Sequence, residues 1–208
     1  MSHFLMQCIT MDGIVLSHNE QVKELCNAGA KWIQLRMKMA KPEEVEAVAV
    51  EVLPICSDHD TLLVINDHLD VAIKTEAGGV HLGKEDTDWK TARSLAGPDM
   101  VIGGTVNTLR DARAALACEC LDYVGVGPYH FTETKKNLSP VLDKNSFSEI
   151  MEFLGELPKV VIGGVIPEDL PSIATLDADG VAISSGLFAN GSVNENFNAY
   201  LQSWPGGS

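Results

Sequence analysis

The sequence has no apolar run near the length of a membrane span, which excludes a transmembrane helix. It is also short of positive charge: 15 Lys and Arg stand against 29 Asp and Glu, a formal net charge of -14. That balance argues against general binding to nucleic acid or an anionic membrane, although a small basic pocket can persist inside an acidic shell. No Cys-x-x-Cys occurs. The five cysteines, Cys8, Cys26, Cys56, Cys118 and Cys120, are odd in number and lie in apolar or helical contexts. They read as buried reduced thiols of a cytoplasmic protein, with Cys118-Glu119-Cys120 as a soft-metal pair the minor alternative. There is no G-x-G-x-x-G after the first strand-like run, no G-x-S-x-G elbow, and no nucleophile beside a base. Met1-Ser2-His3-Phe4 leads straight into a strand-like segment, so no signal peptide is expected.

What is present is an alternation. The 208 residues suit one domain spanning 1–208, with 203–208 as a flexible tail, and the 45% hydrophobic share is ordinary for a soluble protein. Strands are expected at 4–10, 32–36, 61–65, 79–82, 100–105, 123–126, 159–162 and 180–183. Helices are expected at 19–29, 43–53, 70–74, 89–95, 109–117, 147–154, 169–176 and 195–201. A polar loop fills 127–145. Units of roughly 25 residues predict a single-domain α/β protein, a compact (β/α)8 TIM barrel. A doubly wound open sheet is the alternative, weakened by the missing glycine fingerprint. Gly29-Ala30-Lys31, Ala77-Gly78-Gly79 and Asp177-Ala178-Asp179-Gly180 read as glycine-assisted turns into strands.

In such a barrel the chemistry sits at the C-terminal strand ends. Asn66, Asp67 and Asp86 follow the third and fourth strands. The two carboxylates either seat a hard cation such as Mg2+ or merely cap helices. Gln34, Arg36 and Lys38 alternate onto one face, and two cations there suit a phosphate or diphosphate; a solvated edge is the plainer reading. Gly103-Gly104 would let a ligand approach the backbone, with Thr105 offering a hydroxyl. Thr132, Thr134, Lys135 and Lys136 make the long loop an anion clamp or a basic surface loop. Gly163-Gly164 and Ser184-Ser185-Gly186 suit phosphate binding through backbone N–H groups, or are turns. His81, between Val80 and Leu82, suits a supporting role, and His18 and His59 read as surface residues.

Together, Gln34-Leu35-Arg36-Met37-Lys38, Ile65-Asn66-Asp67, Gly79 to Asp86, Gly125-Val126-Gly127-Pro128, Thr132 to Lys136 and Ile162-Gly163-Gly164 resemble the thiamine-phosphate synthase family. The motifs keep the family's order over residues of roughly 30 to 190. The resemblance implies an eight-fold barrel and a cytoplasmic transferase. It would join 4-amino-2-methyl-5-pyrimidinylmethyl diphosphate to 4-methyl-5-(2-phosphooxyethyl)thiazole, releasing pyrophosphate. It implies Gln34, Arg36, Lys38, Asn66, Thr105 and Lys135 for the pyrimidine diphosphate, with Arg36, Lys38, Thr105 and Lys135 the catalytic set. It implies Asp67 and Asp86 for Mg2+, and Thr132, Thr134, Gly164, Ser184 and Ser185 for the thiazole phosphate. Thr105 stands where serine is common, Ser184 where an aliphatic residue is common, and Met37 where Glu is frequent. The partners are then small molecules, not nucleic acid or membrane, and a homo-oligomer is compatible. A binding or regulatory relative, such as a thiazole tautomerase-like protein, should lack the acidic pair or the basic loop. A sugar-phosphate isomerase or epimerase needs an acid/base pair, which Asp67 and Asp86 could supply.

Overall fold

Four of the helices begin where a short polar side chain, Ser17, Asp88, Thr108 or Ser192, takes up a free backbone N–H. Ser17 accepts from the Glu20 N–H while Glu20 reaches back to the Ser17 N–H, a capping box that starts α1 (His18–Asn27). In the computed structural model, which describes residues 5–130 and 144–205, strands and helices then alternate around one ring. The strands are β1 (Leu5–Ile9), β2 (Trp32–Leu35), β3 (Leu62–Asn66), β4 (Gly79–Leu82), β5 (Val101–Val106), β6 (Tyr123–Val126), β7 (Lys159–Ile162) and β8 (Gly180–Ile183). The remaining helices are α2 (Pro42–Asp58), α3 (Leu69–Lys74), α4 (Trp89–Ala96), α5 (Leu109–Cys118), α6 (Lys144–Leu154), α7 (Leu170–Ala174) and α8 (Val193–Ser203).

All neighbouring strands pair in parallel, and β8 returns to β1 with Leu5 opposite Gly180. That closing pair excludes the doubly wound sheet, which would leave two free edges. The approach at the seam is close: a Cβ built on Gly180 would fall on the Leu5 carbonyl. Gly180 therefore serves strand contact, not the turn expected of it. Gly29, with φ 96°, does make a left-handed turn after α1.

Alternation divides the core. Ile33, Leu35, Leu63, Ile65, Val80, Leu82 and Ile102 belong to the larger apolar layer shared with the helices. A smaller cluster of Ile9, Tyr123, Val160 and Ala182, with Trp32 against it, fills the barrel. Tyr123 also meets the buried amides Gln7 and Gln34 there.

Three expectations change. The second helix runs through Pro54 to Asp58 instead of stopping at Leu53. Proline costs a helix interior about 3 kcal/mol. The buried stripe Val45, Ala49, Val52 and Cys56 continues past Pro54, and its packing carries the helix onward. The tail does not begin at 203: Ser203 ends α8 and Trp204 is only 6% exposed, packed in the core. Residues 206–208 lie outside the described residues. Finally, Cys8, Cys26 and Cys56 are buried free thiols as expected, but Cys118 and Cys120 form a disulfide. Glu119 between them takes φ 53° and ends α5, leaving the two Cα atoms 5.2 Å apart, within disulfide reach. Both sulfurs are thereby used, which removes the soft-metal pair.

Candidate active site

The end of β2 is held by the loop after β1. The Thr10 hydroxyl accepts from the Arg36 N–H at 2.9 Å and donates to the Arg36 carbonyl at 3.2 Å. His18 Nε2 reaches the same carbonyl at 3.1 Å, and Asp12 accepts from the Lys38 N–H at 2.9 Å. The turn carrying the two cations is thus fixed through its backbone and not through their side chains. Burial lowers the Arg36 pKa, against the opposing pull of Asp67 and Asp12. A guanidinium stays charged through such a shift. Met37, between them, packs on the outer apolar layer.

Lys38 Nζ pairs with the Asp67 carboxylate, so the ends of β2 and β3 meet through opposite charges. Asp67 has φ 67°, a left-handed turn that lifts it off β3, and its N–H donates to the His81 carbonyl at 2.9 Å. Asp86 accepts from the Gly83 N–H at 2.7 Å and lies close enough to Asp67 for the two carboxylates to act on each other. Burial raises the Asp86 pKa first; the Gly83 N–H opposes this, and the Asp67 charge adds to the rise. Two carboxylates this close form a like-charge dyad that a cation would relieve. Neither caps a helix: Asp88 caps α4, and the N-cap of α3 is His68, with no side-chain bond. The capping alternative therefore falls. Among the described residues no three His, Cys, Asp or Glu side chains gather as a metal cluster.

The far side of the mouth is built from backbone. Gly163 and Gly164 have φ 103° and 67° after β7, values that favour glycine. Among the described residues Ser184 Oγ is buried with no hydrogen-bond partner, and Ser185 opens a 3-10 turn to Phe188.

A model of the family described as thiamine monophosphate synthase matches residues 6–187. The chain belongs to this family. It is 42% identical over 186 residues to the thiamine-phosphate synthase of Bacteroides fragilis, covering 88% of this chain and 91% of that protein. The thiamine-phosphate synthase of Bacteroides thetaiotaomicron is 43% identical, with 88% of each chain covered. Among solved structures, the thiamine phosphate pyrophosphorylase of Pyrococcus furiosus superposes with a TM-score of 0.84 at 27% identity, over 95% of this chain and 94% of that one.

Within this thiamine monophosphate synthase barrel, Arg36, Lys38, Asp67 and Asp86 come from consecutive strand ends and meet as one cluster. Asn66 closes β3 as a buried residue, and Thr105 stands near the end of β5. Gly164, Ser184 and Ser185 follow β7 and β8. Thr132, Thr134 and Lys135 lie outside the described residues. The glycines before Thr105 do not make room for a ligand. The space over Gly103 is taken by Tyr123, and that over Gly104 by Leu121 and Trp89. His18 is no surface residue either; its side chain is half-buried against Arg36. Sequence reasoning missed Gln7, Tyr123, Thr10 and Asp12. Gln7 carried a signal, as a polar residue inside the apolar run Leu5–Ile9, on the same alternation that singled out Gln34.

Proposed function

We propose that this protein joins 4-amino-2-methyl-5-pyrimidinylmethyl diphosphate to 4-methyl-5-(2-phosphooxyethyl)thiazole, giving thiamine phosphate and pyrophosphate. The observation that carries this reading is the cluster of Arg36 and Lys38 against Asp67 and Asp86 at one rim of the barrel. A diphosphate leaving group departs more easily when its growing charge is neutralised. Arg36 and Lys38 supply two fixed positive charges, and Lys135, between β6 and α6 in the sequence, adds a third. Asp67 and Asp86 offer hard oxygen donors, the set that Mg2+ takes while keeping waters and phosphate oxygens as its other ligands. Mg2+ bound there would neutralise charge on the diphosphate.

The remaining assignments follow from donor and acceptor counts. Gln34 is 2% exposed, and its amide nitrogen is already committed to Gln7. Its carbonyl oxygen is left as an acceptor, which suits the amino group of the pyrimidine and not a phosphate oxygen. Asn66 and Thr105 complete that half of the site. The thiazole phosphate falls to the backbone around Gly164, Ser184 and Ser185, with Thr132 and Thr134 offering hydroxyls to it. The electron-rich aminopyrimidine supports positive charge at its methylene, and the thiazole nitrogen attacks there. No protein nucleophile is required, so the protein's task is to bind, neutralise and exclude water. Incubating the two substrates with Mg2+ should yield thiamine phosphate and pyrophosphate in equal amounts. Absence of both products would overturn the assignment.

A further inference from the structure

Five polar side chains run end to end through the barrel, one each from β2, β1, β6, β4 and β5. Gln34 Nε2 donates to Gln7 Oε1 at 3.0 Å, and Gln7 Nε2 donates to the Tyr123 hydroxyl at 2.8 Å. The Tyr123 hydroxyl meets His81 Nδ1 at 3.0 Å, and His81 Nε2 meets Thr105 Oγ1 at 3.0 Å. Gln7, Gln34, His81 and Tyr123 are all buried, where a polar atom without a partner is costly.

The chain has a direction. The phenol carries one proton, and burial pushes its pKa well above the ordinary range, so the proton stays. Gln7 fills one side of the oxygen as a donor. The acceptor available to the phenol proton is His81 Nδ1. A neutral imidazole that accepts at one nitrogen carries its proton on the other. The Nε2–H then donates to Thr105 Oγ1 and occupies a lone pair there. The threonine's own proton is left to point elsewhere, and Thr105 is part-exposed near the strand end.

Space for this chain is built into the strands. Gly103, in register with Tyr123, has no side chain where the phenol ring lies. Trp32 packs edge-on against the same ring, with centroids 4.6 Å apart. A Cβ on Gly125 would sit 3.6 Å from His81 Cε1, so the imidazole rests against bare backbone.

We propose that Gln34, Gln7, Tyr123 and His81 form a one-way hydrogen-bond relay that fixes the Nε2–H tautomer of His81 and sets the Thr105 hydroxyl as a donor to an acceptor atom of the bound pyrimidine diphosphate. The identity of that ligand rests on the proposed function; the tautomer does not. Gln7, Tyr123 and His81 are positioning residues, since they act on the substrate only through Thr105 and Gln34.

Nitrogen-15 NMR of the histidine-labelled full chain, without substrate, reads the tautomer directly, with the His81 signals assigned by their loss in His81→Gln. The expected spectrum has a protonated Nε2 and a bare Nδ1. A protonated Nδ1 would overturn the relay. Two substitutions then separate the nitrogens. His81→Gln places an amide N–H near the Nε2 position and should hold kcat/KM within about threefold, whereas His81→Asn serves the Nδ1 side and should lose about tenfold or more. Equal rates for the two would also overturn it. Tyr123→Phe should convert the single tautomer into a mixture, and an unchanged spectrum would count against the relay. Product formation by the unmodified protein tests the function separately. An active protein with a protonated Nδ1 would sink the relay alone. An inactive protein with the expected spectrum would sink the function and support the tautomer.

Discussion

Tyr123 lies across Gly103 on the neighbouring strand, so closely that a Cβ built on the glycine would fall within the phenol ring. The pair turns one wall of the barrel into a slot for an aromatic ring. Trp32 closes the other side, and Gln7 and His81 hold the hydroxyl.

Gly103→Ala should therefore force the ring out of its slot. Overpacking of this kind costs about 1–3 kcal/mol. The expected result is a lower urea midpoint with unchanged slope, together with a fall in kcat/KM. A variant with the unmodified midpoint and rate would mean that Tyr123 moves aside freely.

The strand ends were legible in the sequence because each apolar run stops at a polar or glycine residue. Asp67 and Asp86 could be placed at one edge from spacing alone, since parallel strands put all their C-terminal ends together. What stayed hidden depended on neighbours far along the chain. Gly103 looks the same in sequence whether its missing side chain makes room for a ligand or for Tyr123, which is 20 residues away and in register only once the barrel closes. His18 precedes a polar helix face, and only the folded turn of β2 brings the Arg36 carbonyl to it. Pro54 reads as a helix end because propensity is local, while the stripe ending at Cys56 is held by packing.

Asp86 gives a metal test. Mg2+ with pyrophosphate should raise the melting temperature of the unmodified protein. The gain corresponds to about 1.4 kcal/mol when the free ligand stands at ten times its Kd. Asp86→Asn should abolish the Mg2+-dependent part, leaving the gain seen with pyrophosphate alone. Asp111→Asn removes a carboxylate paired with Lys84 and not with Asp67 or Asp86, and should leave the Mg2+ response intact. An equal Mg2+ response in Asp86→Asn and the unmodified protein would remove Asp86 from the metal site.

His18 predicts a pH dependence of stability. Burial lowers its pKa first, with Asp12 and the Arg36 carbonyl opposing. Between the folded and unfolded values the unfolded chain holds the extra proton, so stability rises with pH across that window. The loss should therefore begin as pH falls through the unfolded histidine value of about 6.5 and level off below the folded one. His18→Gln, compared by urea midpoints from about pH 5 to 8, should flatten this component. A His18→Gln profile parallel to that of the unmodified protein would assign the slope to other groups.

Ser184 separates stability from binding. Its Oγ is buried and, among the described residues, has no hydrogen-bond partner. Such a hydroxyl costs the free protein its desolvation without return, about 1–3 kcal/mol. Ser184→Ala removes that cost, so the free protein should become more stable by up to about that amount. The proposed phosphate site gives the same hydroxyl a use only when ligand is present. If the hydroxyl donates to the thiazole phosphate, the variant should raise KM for that substrate by about tenfold, with kcat nearly unchanged, because the contact would be equal in ground and transition states. If the phosphate is held by backbone N–H groups alone, KM should not move while the gain in stability remains. A rise in Tm with a rise in KM assigns Ser184 Oγ to the phosphate. A rise in Tm alone confines the site to the backbone at Ser184 and Ser185. A fall in Tm would show that the hydroxyl is satisfied in the free protein, and the assignment of a waiting donor would be wrong.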